Sequence, residues 1–550
     1  MSPSGTPGHM SKEYLVVWAG DANVADTKGA DIRNTPLQVN PVKAVNVDAR
    51  DAPPGPDFLA VIDADSDSST YGKVVNTVTL GPLPENEPHH MQYVWHKGQK
   101  IYAGGLYSDT TYVLDTSQLP KLTLSGVNLP TDTPCGSVPD AYWVLKDGTA
   151  YGSYLGGPDL PGPCVYSDGQ IRSGNGFAGT PGEVVRIGPD GRTLAEAPAA
   201  QDVPEDPVKC TDIPTLVLPS CANPHGLQLR EDLNRMVTSD FAEPRDIILD
   251  PGKPASPFVA RNTVRIWDIA DRNHPKLLSV QTLPDGPRHE RNPAHEENEA
   301  VMETTVTNLP NHKGAFAETM CGGAIFYTPD ITVADPQWRE VFDDTTAARR
   351  LQPNGTELGG CDGASWVQTS ANDHYLYHAV IGRGPGSQSA SDDGSPKMVY
   401  TLDISKLLAS GPHPDCSIDT IAEAYDGGHE GDCPELASVL PITDASTGGP
   451  HWGALDNFQR GPDGFYSEAT WERRMAVSNY FVARTGIDGN HKVCMVDVGP
   501  QGQLSLDRSF RDEDEGTPCV DFNRTHWPHG DLGDAKPHSS LFVVSDADIR

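Results

Sequence analysis

One unit keeps returning along this chain: a short apolar strand, a turn carrying Asp, Asn or Gly, then two further strands. "HHMQYVWHKGQKIYAGGLYSDTTYVLDT" begins at His89, and "DAYWVLKDGTAYGSYLGG" at Asp140. "NPHGLQLREDLNRMVTSDF", followed later by "VRIWDI", begins at Asn223, and "EAVMETTVTNLPNHKGAFAETMCGGAIFYT" at Glu299. "GASWVQTSANDHYLYHAVIG" with "MVYTLDI" begins at Gly363, and "PHWGALDNFQRGPDGFYSEA" with "VCMVDV" at Pro450. A seventh unit assembles from both chain ends, joining "SLFVV" to "EYLVVWAG", "FLAVIDAD" and "KVVNTVTL". Such self-similarity marks a repeat architecture, and strand–turn–strand–strand is one blade of a β-propeller. Pairing the two termini within one blade closes the ring and removes exposed strand edges. The expected fold is all-β: a seven-bladed propeller over 13–550, with long insertions such as Leu194–Ser220 and Lys406–Ser446. Residues 1–12 read as a disordered or processed end outside that domain. A pair of β-sandwiches is the competing architecture, but it does not explain why one unit recurs.

Composition supports this reading and narrows the partners. With 54 Gly and 49 Pro, the chain has the turn residues that many short strands need. Helical periodicity is confined to "QWREVFDDTTAARRLQ" (Gln337–Gln352), expected in a connection. The net charge of −35 repels nucleic acid and anionic lipid surfaces. No apolar run reaches the roughly 18 residues of a membrane span, so no membrane insertion is expected. None of the ten cysteines forms a CxxC pair, which argues against a zinc knuckle. Loop-closing disulfides, Cys210–Cys221 and Cys416–Cys433, would fit a periplasmic or secreted setting; ten reduced thiols in the cytoplasm are the alternative. Nothing in the sequence specifies an oligomeric state.

Propeller geometry gives the histidines meaning. The innermost strand of each blade lines the central channel, and its first residues sit at one mouth. His89 and His90 open the first unit, His225 the third, His451 the sixth and His526 the last. Neutral imidazole suits copper, iron, zinc and nickel. The expected metal ligands are therefore His90, His225, His451 and His526. Glu303, in "VMETTVT", holds the equivalent place in the fourth unit. It either ligates directly or steadies a histidine ring through its second nitrogen. On a regular strand His89 and His90 point to opposite faces, so only one is expected to face the channel. His529 and His538 read as donors behind the ligands, as an alternative ligand pair, or as polar loop residues; for His538 the loop reading is preferred.

Other motifs carry less. "HERNPAHEENE" (His289–Glu299) is not HExxH and reads as a surface loop. "DADSDSSTYG" has Asp63, Asp65 and Asp67 at calcium-loop spacing but lacks the Gly and Glu of such a loop, so a turn is expected. "GNGFAG" has no strand–helix frame for a dinucleotide, and no GxSxG or P-loop is present.

"PDFLAVIDADSDSSTYGKVVNTVTLGPLPENEPHH" resembles the N-terminal signature of the selenium-binding protein / methanethiol oxidase family, which has a similar strand, a Tyr and a His-His pair. "AVMETTVTNLPNHKGAFAETMCGGAIFY" is similar to that family's central segment, with Glu303 on its glutamate. "RTHWPHGD" resembles its C-terminal segment, placing His526 on a family histidine and Asp531 near its aspartate. Gly72 stands where the family has a cysteine, and "VWHKGQK" replaces its CxxC-like stretch. The resemblance implies a seven-bladed propeller and a copper-dependent oxidase. The family reaction converts methanethiol, oxygen and water to formaldehyde, hydrogen sulfide and hydrogen peroxide.

The function expected from residues and resemblance together is oxidation of a small organic substrate, sulfur compounds included, by O2 at histidine-bound copper. Glu303 is the expected catalytic group, and His89, His529, His538 and Asp531 are candidates for orienting the ligands. Iron is the alternative metal, because carotenoid-cleaving oxygenases also set iron among four histidines in a seven-bladed propeller. A non-enzymatic binding scaffold and a calcium-dependent lactonase are the other classes.

Overall fold

The computed structural model of the chain describes residues 12–21, 56–80, 87–158, 162–173, 181–200, 222–244, 260–288, 296–353, 363–382, 397–428, 431–442, 447–480, 489–531 and 533–550. They build a seven-bladed β-propeller. Each blade is an antiparallel sheet of four strands in meander order, and the sixth adds a short fifth strand. The inner strands are Pro88–Met91, Ser137–Val144, Pro224–Arg230, Val301–Val306, Ala364–Thr369, Trp452–Leu455 and Ala535–Val544, for blades one to seven. Each touches the inner strand of the next blade all the way round, which defines the central axis. The ring closes in blade seven. There the C-terminal strand Ala535–Val544 is innermost and pairs antiparallel with Glu13–Asp21, from Glu13 opposite Val544 to Asp21 opposite Ala535. Phe58–Asp63 and Val74–Thr79 complete that blade, as the sequence pattern anticipates.

Burial explains the strand composition. Even third strands are covered on both sheet faces, so they read as continuous runs such as "FLAVID" rather than alternating ones. Outer strands meet solvent, as in Lys121–Asn128, where only Leu122 and Asn128 are buried. The core is therefore not central but lies in layers between blades. Tyr102 and Val113 of blade one pack with Tyr142 and Tyr154 of blade two. Leu227 and Trp267 of blade three meet Tyr151 and Val184 of blade two, and Phe316 and Phe342 of blade four meet Leu376 and Tyr400 of blade five. Each such layer stabilises by roughly 25 cal/mol per Å² of apolar surface removed from water.

Three short helices occur among the described residues: Asp344–Leu351, Ser405–Ala409 and Ile421–Asp426. The helical reading of Gln337–Gln352 is correct only for its second half. Arg339–Asp343 is instead the outer strand of blade four, paired with Ala324–Thr328. Val341 and Phe342 are buried there, so packing against the neighbouring sheet overrides local propensity. Asp343 ends the strand and caps the helix, its side chain accepting from the Thr345 N–H. The expected Cys416–Cys433 disulfide is present, alongside Cys135–Cys164 and Cys494–Cys519, and no described cysteine is free. Cys210–Cys221, "GNGFAG" and most of His289–Glu299 lie outside the described residues, as does all but Lys12 of the 1–12 stretch. Asp63 and Asp65 form a turn, as expected: Asp63 accepts from Lys12, Ser68 and Thr70, and the Asp67 N–H donates to Asp65. No helix among the described residues is long and apolar enough to cross a membrane.

Candidate metal centre

The site begins with an irregularity repeated round the ring. In four blades two inner-strand residues stand opposite one residue of the second strand, the arrangement of a β-bulge. His89–His90 face Gly104, Asp140–Ala141 face Ser153, His225–Gly226 face Ser239, and Met302–Glu303 face Glu318. In blade seven the register slips at His538, between Pro537 and Ser539. Of the histidines and the glutamate expected at the channel entry, all sit on such a bulge except His451, which immediately precedes its inner strand, and His526. The bulge breaks strict alternation, so both His89 and His90 turn the same way. Their rings stack with centroids 4.3 Å apart, which corrects the expectation that only one faces the channel.

Bulging frees backbone groups, and serines satisfy them. The Ser153 hydroxyl accepts from the Ala141 N–H and donates to the carbonyl of His225 in the next blade. The Ser239 hydroxyl accepts from the Gly226 N–H at 2.8 Å and donates to Met302 O at 2.7 Å. The Ser539 hydroxyl accepts from the Met91 N–H at 3.1 Å and donates to His89 O at 2.9 Å. One hydroxyl thus fixes a bulge and staples it to its neighbour.

Seven buried side chains converge at this mouth: His89, His90, Asp140, His225, Glu303, His451 and His538. On one side, His451 Nε2 lies 2.9 Å from His538 Nε2 and 3.4 Å from His90 Nε2. On the other, His90 Nδ1 lies 3.1 Å from Asp140 Oδ1, and His225 Nδ1 lies 3.1 Å from Asp140 Oδ2 and 3.2 Å from Glu303 Oε1. His89 Nε2 approaches Asp140 Oδ1 at 2.7 Å. The Tyr93 hydroxyl donates to Glu303 Oε2. Trp452 forms a wall, its ring 4.2 Å from that of His90 and 5.1 Å from that of Tyr93. Phe241 lies 5.0 Å from the His225 ring.

The trio of His90, His451 and His538 fits a metal ion. Two nitrogens bonded to one ion at about 2.0–2.1 Å, at angles from square to tetrahedral, stand about 2.8–3.4 Å apart. The observed separations of 2.9 and 3.4 Å fall in that range. Two neutral imidazoles meeting Nε2 to Nε2 can share at most one proton as a hydrogen bond, so three such atoms around one point suit a cation better than each other.

Electrostatics keeps these rings in the ligand form. Burial pushes His90 down to about 3, only partly opposed by Asp140. Burial, reinforced by the neighbouring imidazoles, also holds His451 and His538 well below the usual histidine range. All three are neutral at physiological pH, with a lone pair available. On the other side, burial alone would raise Asp140, yet His225, His90 and His89 hold it well below the ordinary carboxylate range. His225 is raised, because Asp140 and Glu303 outweigh its burial. Burial raises Glu303, opposed by His225. Asp140 behind His90 Nδ1 favours the Nδ1–H tautomer and aims Nε2 at the trio.

The structure brings His90, His225, His451, Glu303 and His89 together, but not His526. That residue lies on a separate two-stranded hairpin, His526–Trp527 with Gly530–Asp531, its side chain 72% exposed and its Nδ1 2.7 Å from Asp531 Oδ1. His529 is on the same hairpin, half-buried against Phe58 and bonded to Thr77. Expectations for His526, His529 and Asp531 at the centre are therefore corrected. The seventh inner strand begins at Ala535, beyond His526, so the residue reaching the mouth is His538, which lies on that strand and not in a loop. Asp140 and Tyr93 were overlooked. Asp140 opens the second repeat at the position His89 and His90 occupy in the first, and that equivalence was the available signal.

Fold and site together define a seven-bladed propeller with a buried histidine–carboxylate cluster, able to hold a metal, at one mouth of its channel. No family model matches the sequence, and no curated protein matches it. Among solved structures it is similar to a hypothetical selenium-binding protein from Sulfolobus tokodaii, with TM-score 0.57, 15% identity, and 98% of this chain and 95% of that one covered. A putative 6-phosphogluconolactonase from Bacteroides uniformis is similar at TM-score 0.46, 12% identity, and 97% and 100% coverage. A periplasmic gluconolactonase from Pseudomonas aeruginosa is similar at TM-score 0.46, 11% identity, and 97% and 99% coverage.

Proposed function

We propose that this chain is a metal-dependent oxidoreductase that uses O2 on a small organic substrate, with copper at His90, His451 and His538 and iron as the second choice. The observation carrying this reading is the convergence of three buried, neutral Nε2 atoms at separations suited to one ion. An all-imidazole donor set favours copper or iron over the hard oxygen-seeking cations. The sequence resemblance to the selenium-binding protein / methanethiol oxidase family supports the same reading. Sulfur compounds are therefore first among candidate substrates. The disulfides favour an oxidising setting, periplasmic or secreted.

When bound, the metal would supply redox capacity and polarise a coordinated oxygen or sulfur. The chain's own residues do the rest. Glu303 sets Oε1 3.2 Å from His225 Nδ1 and accepts the Tyr93 hydroxyl at Oε2, so it can receive or return a proton at the cluster. Asp140 orients the His90 ring through Nδ1. Trp452 and Phe241 keep the walls apolar, which strengthens electrostatic effects inside.

Plasma mass spectrometry of purified protein, followed by oxygen uptake with thiols and small aromatics, tests the reading. Copper or iron should be present, should survive His526→Ala and should fall in His538→Ala. Neither variant nor native protein holding a transition metal after anaerobic loading would rule the oxidoreductase out.

A further inference from the structure

The histidine trio uses only one side of the cluster. His90 presents Nε2 to it, while its Nδ1 points the opposite way, toward Asp140 Oδ1 at 3.1 Å and Glu303 Oε1 at 3.7 Å. There a second set gathers: His89, His90, Asp140 and His225 each contribute one atom, all within 4.8 Å of one another. The four residues are at most 5% exposed. Their short contacts nevertheless lack hydrogen-bond alignment: both Asp140 oxygens and the Nδ1 atoms of His90 and His225 have no hydrogen-bond partner. Buried polar atoms at such distances without alignment face a common point rather than each other. A purely structural network would have one or two protons bridging Asp140 along good donor–acceptor lines.

We propose that the centre holds two cations sharing His90, one at the Nε2 atoms of His90, His451 and His538, the other at His89, Asp140, His225 and His90 Nδ1. The inference rests on the reading above, because it takes the trio as the first site. Mixed imidazole and carboxylate donors suit a divalent transition ion such as Cu(II) or Zn(II). The second ion displaces the Nδ1 proton of His90, which leaves to solvent, so the ring becomes an imidazolate bridge. The released proton and the Asp140 carboxylate offset its two positive charges. Neither ion changes oxidation state in this step. Glu303 lies beside the second site and orients His225 at 3.2 Å.

Cu(II) alone is the probe, in the His526→Ala background so that the exposed histidine takes no part. Two copper ions per chain are expected, with an electron-spin count below the copper content because the bridge couples them. Asp140→Asn should bind one copper per chain with its full spin count. The spin count of the parent protein does not depend on whether that variant folds. One copper per chain in the parent would overturn the second site while leaving the trio standing, and no copper would overturn both. Two ions with full, uncoupled spin, or two ions retained in Asp140→Asn, would overturn the sharing of His90.

Discussion

At Gly226 the chain has no room for a side chain. A Cβ there would meet Glu303 Oε2 at 2.7 Å, and the Cα of Glu303 and the backbone nitrogen of Thr304 at 2.8 Å. Two of those atoms are backbone, so Gly226→Ala must part the inner strands of blades three and four, moving both His225 and Glu303. Overpacking of this kind costs about 1–3 kcal/mol. Denaturant unfolding should show that loss, and metal titration should show weaker binding; unchanged values in both would mean the two strands are less tightly opposed than described. The same scale shows why site residues were only partly legible in the sequence. His90, His225 and His451 could be read because a histidine that opens a repeat unit falls at the channel mouth. His526 reads as a ligand because "THWPHGD" precedes the last apolar strand, whereas that stretch forms a hairpin outside the ring. Asp140 gives no signal by residue type, since a lone aspartate before an aromatic strand is ordinary. Its signal is positional, the place in the second repeat that His89 and His90 hold in the first, and the fold sets it between three imidazoles.

Among elements, the recurrent bulge is what turns a β-strand into a ligand-bearing edge. Sequence periodicity cannot reveal it, because a bulge depends on register with the second strand and not on the inner strand alone. Its support is more visible: Ser153, Ser239 and Ser539 are small polar residues on buried strands, and each links two inner strands. Ser239→Ala removes the acceptor of the Gly226 N–H and the donor to Met302 O, leaving two buried groups unpaired. A loss of about 1–3 kcal/mol is expected from equilibrium unfolding. A change under a few tenths of that size would mean the bulge holds itself without the hydroxyl. The helix around Asp344 teaches the complementary lesson. Its periodic stretch extends back through Arg339, but packing claims "REVFD" as a strand.

For the molecule as a whole, the ring and the centre depend on each other. The seven blades were legible because each repeats one unit and both ends supply strands for the last. His538 reaches the axis only because Ala535–Val544 is innermost in the blade closed by Glu13–Asp21. His90 and His451 come from blades one and six on either side of it. Arg474 of blade six reinforces that junction, bridging Glu13 of blade seven at 2.6 Å and Asp456 of its own blade at 2.7 Å. The trio thus forms where the chain closes on itself, and an ion bound there stabilises the closed ring by mass action. The most direct test is an anomalous-scattering map from crystals of the metal-loaded protein, recorded at the copper edge. The account predicts a peak among His90, His451 and His538; a peak only at the surface His526 hairpin, or none at the channel mouth, would contradict it.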